Sequence, residues 1–154
     1  MSRYEEVIKS LGLSIPDPQP PMANFLPFTI SGNLVYISGQ IPGRAGLAGK
    51  LGRYFTIEQG QEAARSCALN VLAWLKQACA GDLDRVVRCV QLRGYVNCVP
   101  EFTDQPQVIN GASDLIVSIF GESGRHARTA IGVNSLPLGA PVEVDAVFEI
   151  SPLR

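Results

Sequence analysis

The last predicted strand constrains the fold of this chain more than any other feature. From Val142 to Ile150, apolar and polar side chains alternate along the sequence. One face carries the apolar set of Val142, Val144, Ala146, Phe148 and Ile150, and the other carries Glu143, Asp145 and Glu149. This pattern is typical of a sheet with one buried and one open face, so the chain needs a second layer.

Two helical patterns can supply that layer. Thr56-Ile57-Glu58-Gln59 has the spacing of a capping box, and apolar residues at helical spacing follow up to Gly81. A second helix is predicted from Pro106 to Phe120, with Gly121 as its C-cap. The other predicted strands are Phe25–Ile30, Leu34–Ile37, Asp84–Cys98 and Ala127–Val133. The order β-β-α-β-α-β-β predicts an α+β, two-layer domain.

Glycine and proline mark the irregular segments. Ser31-Gly32-Asn33 predicts a hairpin turn, and Pro27 places the first strand at an edge or makes it irregular. Five glycines and a proline between Ser38 and Gly52 predict a mobile loop. Gly94 interrupts the long third strand and suggests a bulge there.

The N-terminal residues form an arm ahead of the main domain. A capping box at Ser2 predicts a short helix that ends at Gly12. Four prolines between Pro16 and Pro21 then predict a stiff, extended connector. We therefore divide the chain into an arm over residues 1–22 and a domain over residues 23–154.

Composition excludes several classes of function. Thirteen basic and fourteen acidic residues give a net charge of −1, so the broad positive field of a non-specific nucleic-acid binder is missing. A single histidine excludes zinc sites built on two or more histidines, and no CxxC pair is present, so no metal is expected. The sequence contains no run of 18 apolar residues, so no membrane-spanning helix is predicted.

The cysteines indicate the redox compartment. Cys67 and Cys79 are twelve residues apart on a predicted helix, or about 18 Å, which is too far for a disulfide. Cys89 and Cys98 lie on opposite faces of a predicted strand. Four reduced thiols and the lack of a secretory signal predict a cytoplasmic protein.

The stretch from Gly124 to Val133 is the best candidate for a functional site. His126 and Arg128 are two residues apart and project from the same face of a strand. Glu143 and Asp145 share one face of the following strand and are expected to meet that pair. Two interpretations stay open: an arginine fork that holds a ligand carboxylate, or an exposed ladder of ion pairs.

Three further blocks of sequence carry a family resemblance. They are Gly32-Asn33-Leu34-Val35-Tyr36-Ile37-Ser38-Gly39-Gln40-Ile41-Pro42, Ala127-Arg128-Thr129-Ala130 with Leu136-Pro137, and Val142-Glu143-Val144-Asp145-Ala146. In these blocks the chain resembles the YjgF/RidA family of reactive-intermediate deaminases, also called endoribonuclease L-PSP. The resemblance runs from about Phe25 to Ile150.

The resemblance implies a chorismate-mutase-like homotrimer with active-site clefts between subunits. Arg128 matches the arginine that grips the substrate carboxylate, and Glu143 matches the acidic residue that orients water. Ser38 and Gly39 match the backbone lining the cleft, and Asn110 matches a polar residue of the second helix. The implied reaction converts a 2-imino or enamine acid to a 2-keto acid and ammonia without metal or cofactor. Its implied partners are a small imino-acid metabolite and further copies of the chain.

The chain departs from the family pattern at several positions. Phe25 stands in place of a tyrosine, and Ala130 in place of a frequent cysteine. His126 has no strong counterpart; we place it in the cleft and expect Arg128 to keep its imidazole neutral. Because of these departures, a non-catalytic, carboxylate-binding trimer is the alternative function. An endoribonuclease is the third interpretation.

Overall fold

The structure is a computed structural model that describes residues 1–43 and 47–153. The helices are α1 (Arg3–Ser10), α2 (Ile57–Ala78) and α3 (Gln105–Phe120). The strands are β1 (Phe28–Ser31), β2 (Leu34–Gln40), β3 (Val86–Asn97), β4 (Ala127–Val133) and β5 (Val142–Ile150). The predicted order of elements and the α+β class are confirmed.

The five strands form one mixed sheet in the order β1-β2-β5-β3-β4. Neighbouring strands are antiparallel except β3 and β4, which run parallel. Pro27 precedes β1, which is an edge strand, as expected. The order places β3 between β4 and β5, although β4 and β5 follow each other in the sequence.

The core lies between the sheet and the two long helices. Along β5 the apolar set is buried, and Glu143, Asp145 and Glu149 are only partly buried, so the predicted alternation is confirmed. Helix α2 begins at the predicted capping box of Thr56, and α3 ends at Gly121. The helices cover one face of the sheet, and we call the other face the open face.

Gly94 does not form the predicted bulge. It pairs in regular register with Val144 on β5 and with Ala130 on β4. The irregular pairings of β3 lie earlier, between Val86 and Gln91. A Cβ at Gly94 would come within 2.4 Å of Ile109 Cδ1, so the missing side chain allows α3 to approach the sheet.

The predicted loop over 38–52 is only partly a loop. Strand β2 continues through Gln40. Leu51 is fully buried, and its N–H donates to the carbonyl of Asn97 at 2.9 Å. Residues 44–46 lie outside the described residues.

The N-terminal arm packs on the domain. Tyr4 and Ile8 of α1 are buried, and the Tyr4 ring meets Phe120 edge-on with centroids 4.6 Å apart. Lys76 of α2 also binds Glu5. Among the described residues, no helix is long and apolar enough to cross a membrane.

Candidate functional site

The predicted site residues form two groups on opposite faces of the sheet. The open-face group consists of Phe25, Ser38, Gly39 and Glu143, which line one groove. The edge group consists of Asn110, His126 and Arg128, which lie where β4 meets α3. Within one chain, the structure does not bring the two groups together.

The expected meeting of Glu143 and Asp145 with Arg128 is wrong because β3 separates the strands that carry them. Arg128 pairs with Leu92, whose side chain is buried beneath the helices, so Arg128 also faces the helical layer. Glu143 pairs with Tyr95 and faces away from that layer. The strands β4 and β5, which follow each other in the sequence, are therefore not neighbours in the sheet.

Arg128 is held by neutral acceptors of α3. Its Nη1 donates to Asn110 Oδ1 at 2.7 Å and to Ser113 Oγ at 3.3 Å, and its Nη2 donates to the carbonyl of Pro106 at 3.3 Å. No carboxylate lies within 4.0 Å of it in residues 1–43 and 47–153. Arg128 is therefore not part of an ion-pair ladder.

These contacts leave a usable fork on the guanidinium. Three of its five N–H groups are bonded, and the remaining two are on Nε and Nη2. Two adjacent N–H groups are the number that a carboxylate accepts in a bidentate pair. Arg128 can therefore bind a carboxylate and keep the bonds that hold it.

His126 lies beside Arg128 through a shared contact with Ser113. Its Nδ1 is 2.7 Å from the carbonyl of Gly124, which can only accept, so Nδ1 carries the proton. In the neutral ring Nε2 then accepts from Ser113 Oγ at 2.9 Å. Burial lowers the pKa of His126, and Arg128 lowers it further, so the neutral imidazole is favoured as expected.

Ser113 was missed by the sequence reasoning although it contacts both predicted residues. It follows Asn110 by three positions, so the two side chains share one face of α3. That spacing was the available signal. It indicates a shared site only when it is known that this face of α3 contacts β4.

The Ser38-Gly39 segment shapes the open-face groove. Ile37 pairs with Ala146 and Gln40 with Val144, so Ser38 and Gly39 together form a bulge opposite one residue of β5. Ser38 Oγ donates to the carbonyl of Leu26 at 2.6 Å, which fixes the segment next to Phe25. The bulge leaves Gly39 facing the side chain of Glu143.

Glu143 lies directly against Gly39. A Cβ on Gly39 would be 2.6 Å from Glu143 Oε2, so only glycine leaves this space for the carboxylate. Burial raises the pKa of Glu143, and the nearby charge of Asp145 raises it further. Among the described residues no basic group lies within 4.0 Å of Glu143. Its carboxylate is therefore available to a ligand or a water molecule.

An ion pair does exist on the open face, between residues that were not predicted to form it. Arg93 Nε donates to Asp145 Oδ1 at 2.8 Å, and the Tyr95 hydroxyl donates to Asp145 Oδ2 at 3.1 Å. Both partners come from β3, two residues apart, and this spacing was the signal that the sequence offered. Asp145 is thus neutralised, whereas Glu143 is not.

The open-face groove has a volume of about 530 Å³. Arg93, Glu143 and Asp145 give it two negative charges and one positive charge. In the described part of the chain, no three side chains of His, Cys, Asp or Glu are grouped to hold a metal ion.

Known proteins place this chain in a family. Residues 5–149 match the model of the family described as "YjgF/chorismate_mutase-like, putative endoribonuclease". Protein TCP17 of Trypanosoma cruzi is 48% identical over 148 residues, which cover 94% of this chain and 92% of that protein.

Two solved structures are also similar over nearly the whole chain. The protein Atu1372 of Agrobacterium tumefaciens, of unknown function, is 48% identical with a TM-score of 0.89, covering 97% of this chain and 94% of that one. A "putative endoribonuclease" from Shewanella oneidensis MR-1 is 34% identical with a TM-score of 0.92, covering 97% and 100%. The chain belongs to the YjgF/chorismate-mutase-like family, as its motifs predicted.

Proposed function

We propose that the protein is a homotrimeric, hydrolytic deaminase that converts 2-imino or enamine acids to 2-keto acids and ammonia. One observation carries the proposal. Arg128 is a partly buried guanidinium that neutral groups hold in place, and it keeps two N–H groups available for a substrate carboxylate. A partly buried cation with no anionic partner in the described chain favours binding of an anionic ligand.

The separation of the two groups supports the proposed second subunit. Arg128 and Glu143 face opposite sides of one sheet, so a cleft containing both requires the edge group of one copy and the open-face group of another. Tyr36 and Ile131 are large apolar side chains of the open face, and each is 45% exposed. Contact with a neighbouring copy would bury such residues. A charged fraction of only 18% is in line with an extensive subunit interface.

The chemistry needs one carboxylate-binding group and one proton carrier. Arg128 fixes the substrate carboxylate and so orients the imine carbon. Glu143 accepts a proton from a water molecule while the water oxygen bonds to that carbon. Glu143 passes that proton to the imine nitrogen, which gives a tetrahedral carbinolamine. The hydroxyl proton of the carbinolamine then moves to the nitrogen through Glu143 as the C–N bond breaks, so that ammonia leaves and the C=O bond of the 2-keto acid forms. An enamine acid first tautomerises to the imino acid. A raised pKa suits Glu143 to this task, because it makes the carboxylate a stronger base.

A non-catalytic, carboxylate-binding trimer is the second candidate. It is favoured by Phe25, which lines the open-face groove with a ring that cannot donate a hydrogen bond. Such a trimer would use Arg128 for binding and would not activate water. Ribonuclease activity is not proposed, because the chain has a net charge of −1 and a single histidine, so it lacks a pair of histidines for acid–base cleavage of RNA.

The test is a coupled assay with freshly generated 2-aminoacrylate, with release of 2-keto acid and ammonia compared with a protein-free blank. We expect acceleration by the wild-type protein and little by Glu143→Gln. Binding of a small keto acid without acceleration would favour the non-catalytic trimer. A monomer in analytical ultracentrifugation at micromolar concentration would contradict the shared cleft. Titration with single-stranded RNA at two salt concentrations measures RNA binding, which a ribonuclease would require.

A further inference from the structure

A second groove adjoins the open-face groove and is walled by the N-terminal arm. We call it the arm groove. It lies between residues 18–23, the segment from Pro137 to Ala140, and the α2 residues Asn70 and Trp74, with a volume of about 780 Å³. Both grooves are lined by Phe25, Gly39, Pro137 and Glu143. The arm groove is thus continuous with the surroundings of the proposed proton carrier.

The described lining residues of the arm groove are almost all uncharged. Glu143 is the one ionisable side chain among its described lining residues. The side-chain amides of Gln40 and Asn70 each donate one hydrogen bond within the protein, at 2.9 Å to the carbonyls of Ser38 and Ile41. Most of the remaining wall is apolar, including Trp74 and Leu47. A ligand group that fits this wall is apolar rather than charged.

Two large apolar residues of the wall are exposed to water. Leu138 has φ of 58°, in the left-handed region that is unfavourable for leucine, and its side chain is 71% exposed. Met22 is 82% exposed on the arm. Large apolar side chains held open to water at a groove favour an apolar occupant.

We propose that the arm groove binds the apolar side chain of the substrate, so that the preferred imino acids carry a long alkyl or aryl substituent. This inference rests on the proposed function. With the reacting carbon at Glu143, a substituent on that carbon has the arm groove directly beside it. A volume of this size is typical of sites for larger organic ligands, and a one-carbon substituent would leave most of it empty.

Trp74 makes the inference testable by binding alone, because it is the only tryptophan of the chain and it lines the groove. Its fluorescence is followed during titration with pyruvate, 2-oxobutanoate, 2-oxopentanoate and 2-oxohexanoate. We expect affinity to increase about fourfold with each methylene group that enters the groove. An affinity that is independent of chain length would overturn the inference.

A matched pair of variants checks where the selectivity arises. Leu138→Asn removes the apolar side chain, and asparagine tolerates the left-handed backbone there. Leu153→Asn is the control, since Leu153 is also 71% exposed and lies outside both grooves. We expect Leu138→Asn to reduce the gain in affinity per methylene, and Leu153→Asn to preserve it. Equal gains in both variants would contradict the assignment.

Two further readouts separate this inference from the proposed function. If the protein turns over 2-aminoacrylate but its affinity for the keto acids does not change with chain length, the arm groove is not a side-chain site. The proposed deaminase activity would then still stand. A steep series without turnover of any imino acid would refute the deaminase and retain the apolar site. If Leu138→Asn changes the mass in ultracentrifugation but not the series, a second copy fills the groove and the inference fails.

Discussion

Replacing Arg128 with lysine tests the central assignment, because it keeps the charge and removes the fork. Arginine has five N–H groups, and Asn110, Ser113 and the Pro106 carbonyl use three of them. Lysine has three donors on one nitrogen and cannot present two parallel N–H groups to a carboxylate. The substitution should therefore weaken ligand binding while the subunit assembly persists.

The size of the effect depends on the kind of charge pair that the substitution breaks. Removing one partner of a desolvated, hydrogen-bonded charge pair costs about 2–5 kcal/mol, which is about 30- to 5,000-fold in affinity. Arg128→Ala should fall within this range. Arg128→Lys should lie near its lower end, because the positive charge remains. Titration calorimetry with a small keto acid measures both decreases in affinity, and ultracentrifugation confirms that each variant keeps the mass of the wild type.

Arg93→Lys is the matched control for this experiment. Arg93 lies in the open-face groove, but Asp145 already pairs with it at 2.8 Å. We expect Arg93→Lys to bind the keto acid with nearly the wild-type affinity. If Arg128→Lys binds as tightly as the wild type and Arg93→Lys does not, the carboxylate site belongs to Arg93 and the reasoning is refuted.

Three further results are expected. Gly39→Ala should lower kcat at least tenfold with little change in Tm, because its Cβ would displace the flexible end of Glu143; an unchanged kcat would contradict this. Glu143→Gln should lower kcat more than affinity. It should also raise Tm at pH 7. The raised pKa of Glu143 means that folding favours its protonated form, and this contribution to stability is lost as pH rises through that pKa. At pH 7 the folded protein therefore holds an unfavourable charge at this position, and glutamine removes it. The gain in Tm should vanish below the ordinary pKa of 4.5, and its persistence in acid would show another cause. Finally, burial raises the pKa of Cys79 to about 11 and of Cys89 to about 12, and Cys67 is also buried, so Ellman's reagent should react slowly with these three thiols of the folded protein and faster with the partly buried Cys98. It should titrate four thiols after denaturation without reductant, and fewer would reveal a disulfide.

Local features of this fold are predictable from the sequence because local interactions produce them. Ser2 and Thr56 form the predicted capping boxes, and Gly121 ends α3 with a positive φ. The alternation of β5 matches its burial residue by residue. Each of these features depends on side chains within a few positions of one another, so no knowledge of the tertiary structure is needed.

The errors arise where the sheet order decides the outcome. The expected contact of Arg128 with Glu143 assumed that consecutive strands are neighbours, but β3 is inserted between them. The bulge assigned to Gly94 overlooked that a glycine also permits close approach, here by Ile109. Ser113 and Arg93 were missed because their partners come from other elements of the chain.

The proposed trimer would account for the separation of the two groups. Asp145 is paired with Arg93, so within the open-face groove Glu143 is the carboxylate without a basic partner among the described residues. On the opposite face lies Arg128, a guanidinium that neutral acceptors hold in place. Because the sheet lies between them, Glu143 and Arg128 of one chain cannot contact each other or the same ligand. In the proposed trimer each copy offers its edge group to the open face of the next copy. Such a head-to-tail interface closes into a ring when the rotation between copies allows it. Every cleft then holds one cation for the substrate carboxylate and one carboxylate for water, and each copy contributes to two clefts.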